Sequence, residues 1–487
     1  MTASRRTELL AVLLAAIPLL GFWLTGLLDL DEGFYGAVTA EMNRRGEWIT
    51  PYYNGSPWFE KPILLYWLAK PCMMLFGPDF GPRLPSFLCS LALYWIVFRF
   101  VRTRFGQTEA LVSTLILGTS LLMIALGRMM MTDVPLLLSL TACFMAFWNS
   151  LDCPERERTK WRGLAGVALG FAVLAKGPVG GIFFLLLAGA TLRFYPGPRD
   201  RFRGGWLAGI IGFCVVVGAW YVPAYLANGD VFVQKFLIEQ NLGRFAGGDK
   251  AHHVPFPVNL IFFPAIVVLG FAPWWWHLRR AWPSPLSAWT RGLSEDERST
   301  LRYLGWWAAI IFVFFSVSGS KLIHYILPCW PPLAIIVGVY VARGGNPVPG
   351  NIPTLSPRLR NLFAGLLLGH CALANLGFWW HYNNVGQNEA HAYARIAKDA
   401  KKPLLVYQLS RRNKDLGTGA AKVQETSLPS LAMVYHGVFQ KAETPAELGE
   451  YSGYVLTRGD RISAEEAAQL GLTQVQTGKK FVLFLKN

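Results

Sequence analysis

Asp31 and Glu32 stand side by side where the first apolar run of the chain ends, and Glu60 and Lys61 fall near the end of the stretch that follows, DEGFYGAVTAEMNRRGEWITPYYNGSPWFEKP. A carboxylate such as Asp31 can take a proton from an attacking hydroxyl or orient it. Lysine and arginine donors can hold a phosphate and stabilise the charge that develops on it as a leaving group. More such residues interrupt the apolar sequence: Arg128 and Asp133 in GRMMMTDVPL, Lys176 in AKGP, Glu239, Arg244 and His252 between two apolar runs, and Lys321 in SGSKLIHYILP. A charge near hydrocarbon costs about 2.5–3.5 kcal/mol on insertion scales, so it is usually paired or functional. Singly, each has an ordinary explanation. Lys61, Lys70 and Lys321 could snorkel to the interface, Arg128 and Asp133 could be a structural pair, and His252 a solvated loop histidine. Together, the carboxylates, the histidine and the cations point to a site for an anionic substrate at a membrane surface. Glu60 and His252 could also supply oxygen and nitrogen ligands to a divalent ion.

These residues must be positioned by helices in a bilayer. The chain of 487 residues is 53% hydrophobic and 16% charged, against about 25% charged in soluble domains. A helix needs roughly 20 apolar residues to cross the hydrocarbon, and the candidate spans are 9–28, 84–101, 109–127, 133–150, 162–176, 178–194, 206–226, 257–278, 302–318, 322–341 and 360–381. Residues 60–77 are interrupted by Lys61, Lys70 and Pro71 and are expected to lie in the outer interface. KGPVGG breaks 162–194 into two short spans. With Arg5 and Arg6 inside, alternation places the arginine-rich connectors at 99–104, 155–162, 199–203, 279–302 and 343–360 inside as well. The candidate site residues then all fall outside, in or beyond a first outer loop at 29–83.

The net charge of +16 is spread between apolar runs rather than clustered, which argues against a nucleic-acid partner. The seven cysteines show no metal or disulfide spacing. Residues 382–487 change character. They carry short strand-like runs (PLLVYQL, GYVLTRG, KKFVLFLKN), and SAEEAAQLGL has a capping box of Ser463 with Glu466 and a stop at Gly471. The expected architecture is an α-helical polytopic membrane domain at 1–381 and a small extracytoplasmic α/β domain at 382–487. A transporter or flippase would put its charges near the midplane and often shows inverted repeats. A non-catalytic sugar-lipid binding module is the third class of reading.

In order along the chain, DEGFY…AEM…GEWITPYYNGSPWFEKP, GPRLPS, TDVPLLL, LAKGPVG, IEQNLGRF…HHVPF and SKLIHYILPCWPPLA resemble the GT-C-type integral membrane glycosyltransferases of the protein O-mannosyltransferase and aminoarabinose (lipid A) transferase superfamily. The resemblance implies about thirteen spans, against the eleven counted above, with interfacial helices in the first outer loop and a soluble periplasmic C-terminal domain. It implies Asp31 as the catalytic carboxylate with Glu32 beside it, and Lys61 on the donor phosphate with Asp133 lining the site. Arg128, Lys176, Arg244 and Lys321 are the further candidate donors to phosphate. Glu60 and His252 match metal-binding positions, zinc foremost, and no organic cofactor is expected. The implied donor is a monosaccharide on undecaprenyl phosphate, displaced with inversion. The acceptor is a lipid A phosphate or another envelope glycan or protein, and the setting is the bacterial inner membrane with a cytoplasmic N-terminus. Phe34 stands where the aminoarabinose branch commonly carries a basic residue, so sugar and acceptor stay open.

Overall fold

The computed structural model describes residues 3–29, 31–243, 257–275, 292–343, 355–409, 428–449 and 451–487. It divides into two compact units: Met1–Gly21, Phe59–Leu65 and Pro85–Ala374 form the first, and Phe22–Trp58, Tyr66–Leu84 and Asn375–Asn487 the second.

The first unit is a bundle of apolar helices. Among the described residues, six helical stretches of the chain are long and apolar enough to cross a bilayer: Leu64–Arg104, Asp133–Asp152, Arg199–Gln240, Glu295–Val317, Ile323–Ala342 and Pro357–Asn384. Gln107–Thr119 and Leu121–Gly127 would make a seventh as one span bent by 67°. Small residues let these helices approach closely, as they do in membrane proteins. A Cβ on Gly166 would sit 1.9 Å from the Gly209 carbonyl oxygen, so helices Glu155–Lys176 and Trp206–Phe232 meet backbone to backbone. A Cβ on Gly338 would sit 2.1 Å from Ser113 Oγ, which sets the approach of Trp330–Ala342 to Gln107–Thr119. The break expected in KGPVGG falls at Gly177, whose φ of 83° ends one helix before Val179–Phe194 begins.

Two expectations for the N-terminal part differ in the structure. The first helix covers Ala3–Ala16 and gives way to one tight turn, Ile17–Leu19. Pro18 has no N–H to continue the ladder, and Gly21 has a φ of 84°. The segment assigned to the interface is helical over Leu64–Phe80 with a kink at Gly77, and the stretch that continues to Arg104 meets the length and hydropathy of a span.

In the second unit, helix Asp31–Arg45 leads into a hairpin, Tyr52–Tyr53 against Ser56–Pro57. Its turn is Asn54-Gly55, both at positive φ, the pair that a two-residue hairpin favours. Glu41 of the helix accepts the Gly55 N–H at 3.1 Å and Arg45 Nε at 2.9 Å, which fixes the hairpin to the helix. The later part folds as a five-stranded sheet in the order Gln440–Ala442, Leu404–Tyr407, Gly453–Arg458, Phe481–Lys486, Leu472–Thr477. Pairing is parallel across the first three strands and antiparallel across the last three. Leu405, Leu448, Val455, Val482 and Phe484 are among the residues of its core. Helix Gln387–Asp399 buries Ala390, Tyr393, Ala394 and Ala397 on one face. The Ser463–Glu466 capping box is present with both bonds, and Gly471 sits at φ 68° just past the helix it opens.

Candidate active site

Asp31 is the first residue of its helix and is exposed, where the helix N-terminus favours a negative charge. Its neighbour Glu32 is 0% exposed and fully engaged. Arg83 Nε donates to Oε1 at 2.6 Å and Arg83 Nη2 to Oε2 at 2.7 Å, while the Leu28 N–H donates to Oε2 at 2.7 Å. The remaining Arg83 donors reach the carbonyls of Phe22, Thr25 and Gly26. This is a buried, bidentate ion pair with its hydrogen bonds satisfied. The sequence marks Glu32 as a second reactive carboxylate. The structure gives it another task, holding residues 22–28 and Arg83 of GPRLPS to the start of the helix.

Asp29 is a carboxylate that sequence reasoning passed over. The Ser430 N–H donates to its Oδ1 at 3.0 Å, and Ser430 Oγ and Gln387 Nε2 donate to Oδ2 at 2.6 and 2.8 Å. Ser430 Oγ lies 2.7 Å from His391 Nε2, and His391 Nδ1 lies 2.8 Å from the Tyr382 hydroxyl. Burial pushes Asp29 up from its ordinary 3.8 to about 7, against the hydrogen bonds from Ser430 and Gln387 that lower it. Burial pushes His391 down from 6.5 to about 3. Lys70, a suspected snorkeller, is instead buried, donating to the carbonyls of Met42 at 3.2 Å and Glu47 at 2.6 Å.

In the first unit, Asp133 opens helix Asp133–Asp152 and Lys176 closes Glu155–Lys176. Their side chains meet at 2.5 Å, and Lys176 Nζ lies 4.7 Å from the centre of the Tyr325 ring. Lys61 and His324 also act on the Asp133 charge. Oδ2 of Asp133 is buried and accepts no hydrogen bond among the described residues. The Lys176–Asp133 pair, with the Lys61 charge acting on it, offers donors suited to phosphate, and the open acceptor suits a sugar hydroxyl. His324 was missed at the sequence level, although it lies within the SKLIHYILP stretch.

Two other expected phosphate donors serve the backbone. Arg128 donates to the carbonyls of Pro18 at 3.0 Å and Leu20 at 2.6 Å, holding the turn after the first helix. Lys321 donates to Phe315 at 3.2 Å and Ser316 at 2.7 Å, capping the C-terminal end of Glu295–Val317. Arg244 and His252 lie outside the described residues. Glu60, the other expected metal ligand, is partly exposed. Among the described residues no three His, Cys, Asp or Glu side chains gather as a metal site.

Comparison with known proteins finds likenesses of sequence and of fold. The family model described as dolichyl-phosphate-mannose-protein mannosyltransferase matches residues 60–221. The undecaprenyl phosphate-alpha-4-amino-4-deoxy-L-arabinose arabinosyl transferase of Shewanella sediminis is 32% identical over 330 residues, 64% of this chain and 56% of that protein. An uncharacterized protein of Aquifex aeolicus is 30% identical over 327 residues, 66% of this chain and 70% of that one. The crystal structure of ArnT from Cupriavidus metallidurans bound to undecaprenyl phosphate superposes with a TM-score of 0.75 at 18% identity, covering 99% of this chain and 98% of that one. The chain therefore has the architecture of a polytopic GT-C membrane protein. The kinship with the Aquifex protein covers 70% of that chain, and the likeness to ArnT is one of fold. The alignment spans just over half the length of the Shewanella relative.

Proposed function

We propose that the chain transfers a monosaccharide from undecaprenyl phosphate to a lipid A-type phosphate or another envelope acceptor, on the periplasmic side of the bacterial inner membrane. The observation that carries this reading is the charge arrangement at Asp133. Lys176 is in contact with the acid, Lys61 and His324 bear on it, and one acceptor oxygen is left open. The relatives named as undecaprenyl phosphate-linked arabinosyl transferases support the donor class.

The acceptor oxygen attacks the anomeric carbon from the face opposite the phosphate. The C–O bond to phosphate breaks with its electron pair on the leaving oxygen, so configuration inverts and undecaprenyl phosphate is released. Lys61 and Lys176 stabilise the charge gained by that phosphate. Asp31 takes the proton of an acceptor hydroxyl, or orients an acceptor phosphate that has no proton to lose. A divalent ion held by Glu60 and His252, zinc foremost, is part of the proposal and when bound would supply a Lewis acid to phosphate oxygen. Loss of transfer on chelation, restored by zinc, would support it; full activity in chelator would remove it.

The matched mannosyltransferase model favours a second reading, in which the acceptor is a protein hydroxyl. Mass spectrometry of lipid A and of envelope proteins, from cells with and without the chain, separates the two. A pentose- or hexose-sized mass on lipid A that depends on the chain supports the first reading, and one on proteins supports the second. Unchanged profiles in both fractions contradict transfer to either.

A further inference from the structure

Asp31 is exposed, and among the described residues its carboxylate has no hydrogen-bond or ion-pair partner. Its aim must therefore come from the main chain that carries it. Just before the helix stands Asp29, whose two oxygens take three donors, and all three come from the C-terminal segment: the Ser430 N–H, Ser430 Oγ and Gln387 Nε2.

Ser430 occupies the N-cap position of Leu431–Tyr435, where a serine hydroxyl ordinarily bonds to its own helix, but this one makes no such bond. Forgoing the cap costs about 1 kcal/mol. The hydroxyl is held instead between Asp29 and His391, and Ser430, His391 and Gln387 are each at most 2% exposed.

The helix is shaped to reach this clamp. A Cβ on Gly33 would lie 1.7 Å from Asp29 Oδ1 and 3.0 Å from Ser430 N, and one on Gly36 would lie 3.1 Å from Met433 Sδ. Glycines three apart thus let one helix face rest on residues 430–433. Beyond the far end of the helix a second tie is made. Asn54 Nδ2 donates to the Phe439 carbonyl and accepts the Phe439 N–H at Oδ1, both at 3.0 Å.

We propose that Ser430, clamped between His391 and Asp29, is a positioning residue for Asp31, so that the C-terminal segment sets the aim of the reactive carboxylate. The inference rests on the reading of Asp31 as that carboxylate. A displacement near 1 Å at a reacting group can cost about a hundredfold in rate, so loosening the clamp acts on turnover rather than on donor binding.

The test uses the full chain in nanodiscs with an undecaprenyl-phosphate-linked sugar donor. Ser430→Ala should lower kcat about tenfold and leave KM for the donor within about twofold. Asp29→Ala should do the same, and the double variant should be no slower than Asp29→Ala, because both act through one contact. Asp29→Asn keeps an acceptor for the Ser430 N–H and should recover most of the rate, which also serves if Ser430→Ala does not fold. Hydrogen exchange should accelerate about tenfold in the first turns of Asp31–Arg45 and stay unchanged in Gly453–Arg458. Unchanged kcat, additive losses, or exchange that rises across the whole sheet would overturn the clamp. If the wild-type chain itself transfers no sugar, the reading of the reaction fails and the role of Ser430 with it. Wild-type transfer together with full-rate Ser430→Ala sinks the clamp alone.

Discussion

Individual side chains in this protein are sorted by what they have left to offer. Lys70 donates to two carbonyls inside the fold, whereas Lys61 is partly exposed and bears on Asp133. Lys61→Ala is expected to raise the donor KM about tenfold with little change in thermal stability. Lys70→Ala is expected to cost about 1–3 kcal/mol of stability through the carbonyls left unpaired. Equal kinetic effects of the two would mean that Lys61 only snorkels. Asp29 and His391 make a second contrast. With Asp29 raised to about 7, its contribution to stability falls as pH rises from its ordinary 3.8 toward 7, because the unfolded chain gives up the proton first. With His391 lowered to about 3, its contribution rises between pH 3 and 6.5, where only the unfolded chain binds the extra proton. The two slopes oppose each other. Asp29→Asn should therefore unmask a stability that climbs with pH up to about 6.5, read by thermal unfolding at stepped pH; a variant as flat as the wild type would contradict the burial of these groups.

At the scale of elements, polar ties hold the apolar pieces in place. The Glu32–Arg83 pair joins the helix that begins at Asp31 to the chain at 22–28. Glu32→Gln leaves the Arg83 charge buried without its counter-ion, and about 3–5 kcal/mol of stability should be lost. Pairing Glu32→Gln with Arg83→Met should restore part of it, as measured by thermal unfolding of the two variants; no recovery would mean that the other Arg83 bonds carry the effect. Much at this scale was legible in the sequence because its causes are local. The Ser463–Glu466 box, the break at Gly177 and the strands 404–407, 453–458 and 481–486 each follow from neighbouring residues. The clamp was not legible, because Asp29, Gln387 and Ser430 are remote in sequence and each reads alone as an ordinary polar residue. Arg128 and Lys321 were misjudged for a related reason. A charge beside an apolar run looks the same whether it awaits a ligand or holds a carbonyl, and only the fold shows the carbonyls of Pro18, Leu20, Phe315 and Ser316.

For the whole molecule, the proposal requires one polarity in the membrane. On the proposed reading the arginine-rich connectors lie on the cytoplasmic side and the first outer loop in the periplasm. In a background without the seven native cysteines, Ser56→Cys should react with an impermeant maleimide on intact spheroplasts. Arg203→Cys should react only after permeabilisation. Labelling of both from one side would undo the topology.

The claim at the centre is that Asp31 drives sugar transfer. It is tested most directly with purified chain, an undecaprenyl-phosphate-linked sugar and lipid A, by following released undecaprenyl phosphate and sugar gained by the acceptor. Asp31→Asn, nearly the same in shape, is predicted to bind donor with unchanged affinity and to transfer at no more than about a hundredth of the wild-type rate. Transfer by Asp31→Asn at the wild-type rate would contradict the account.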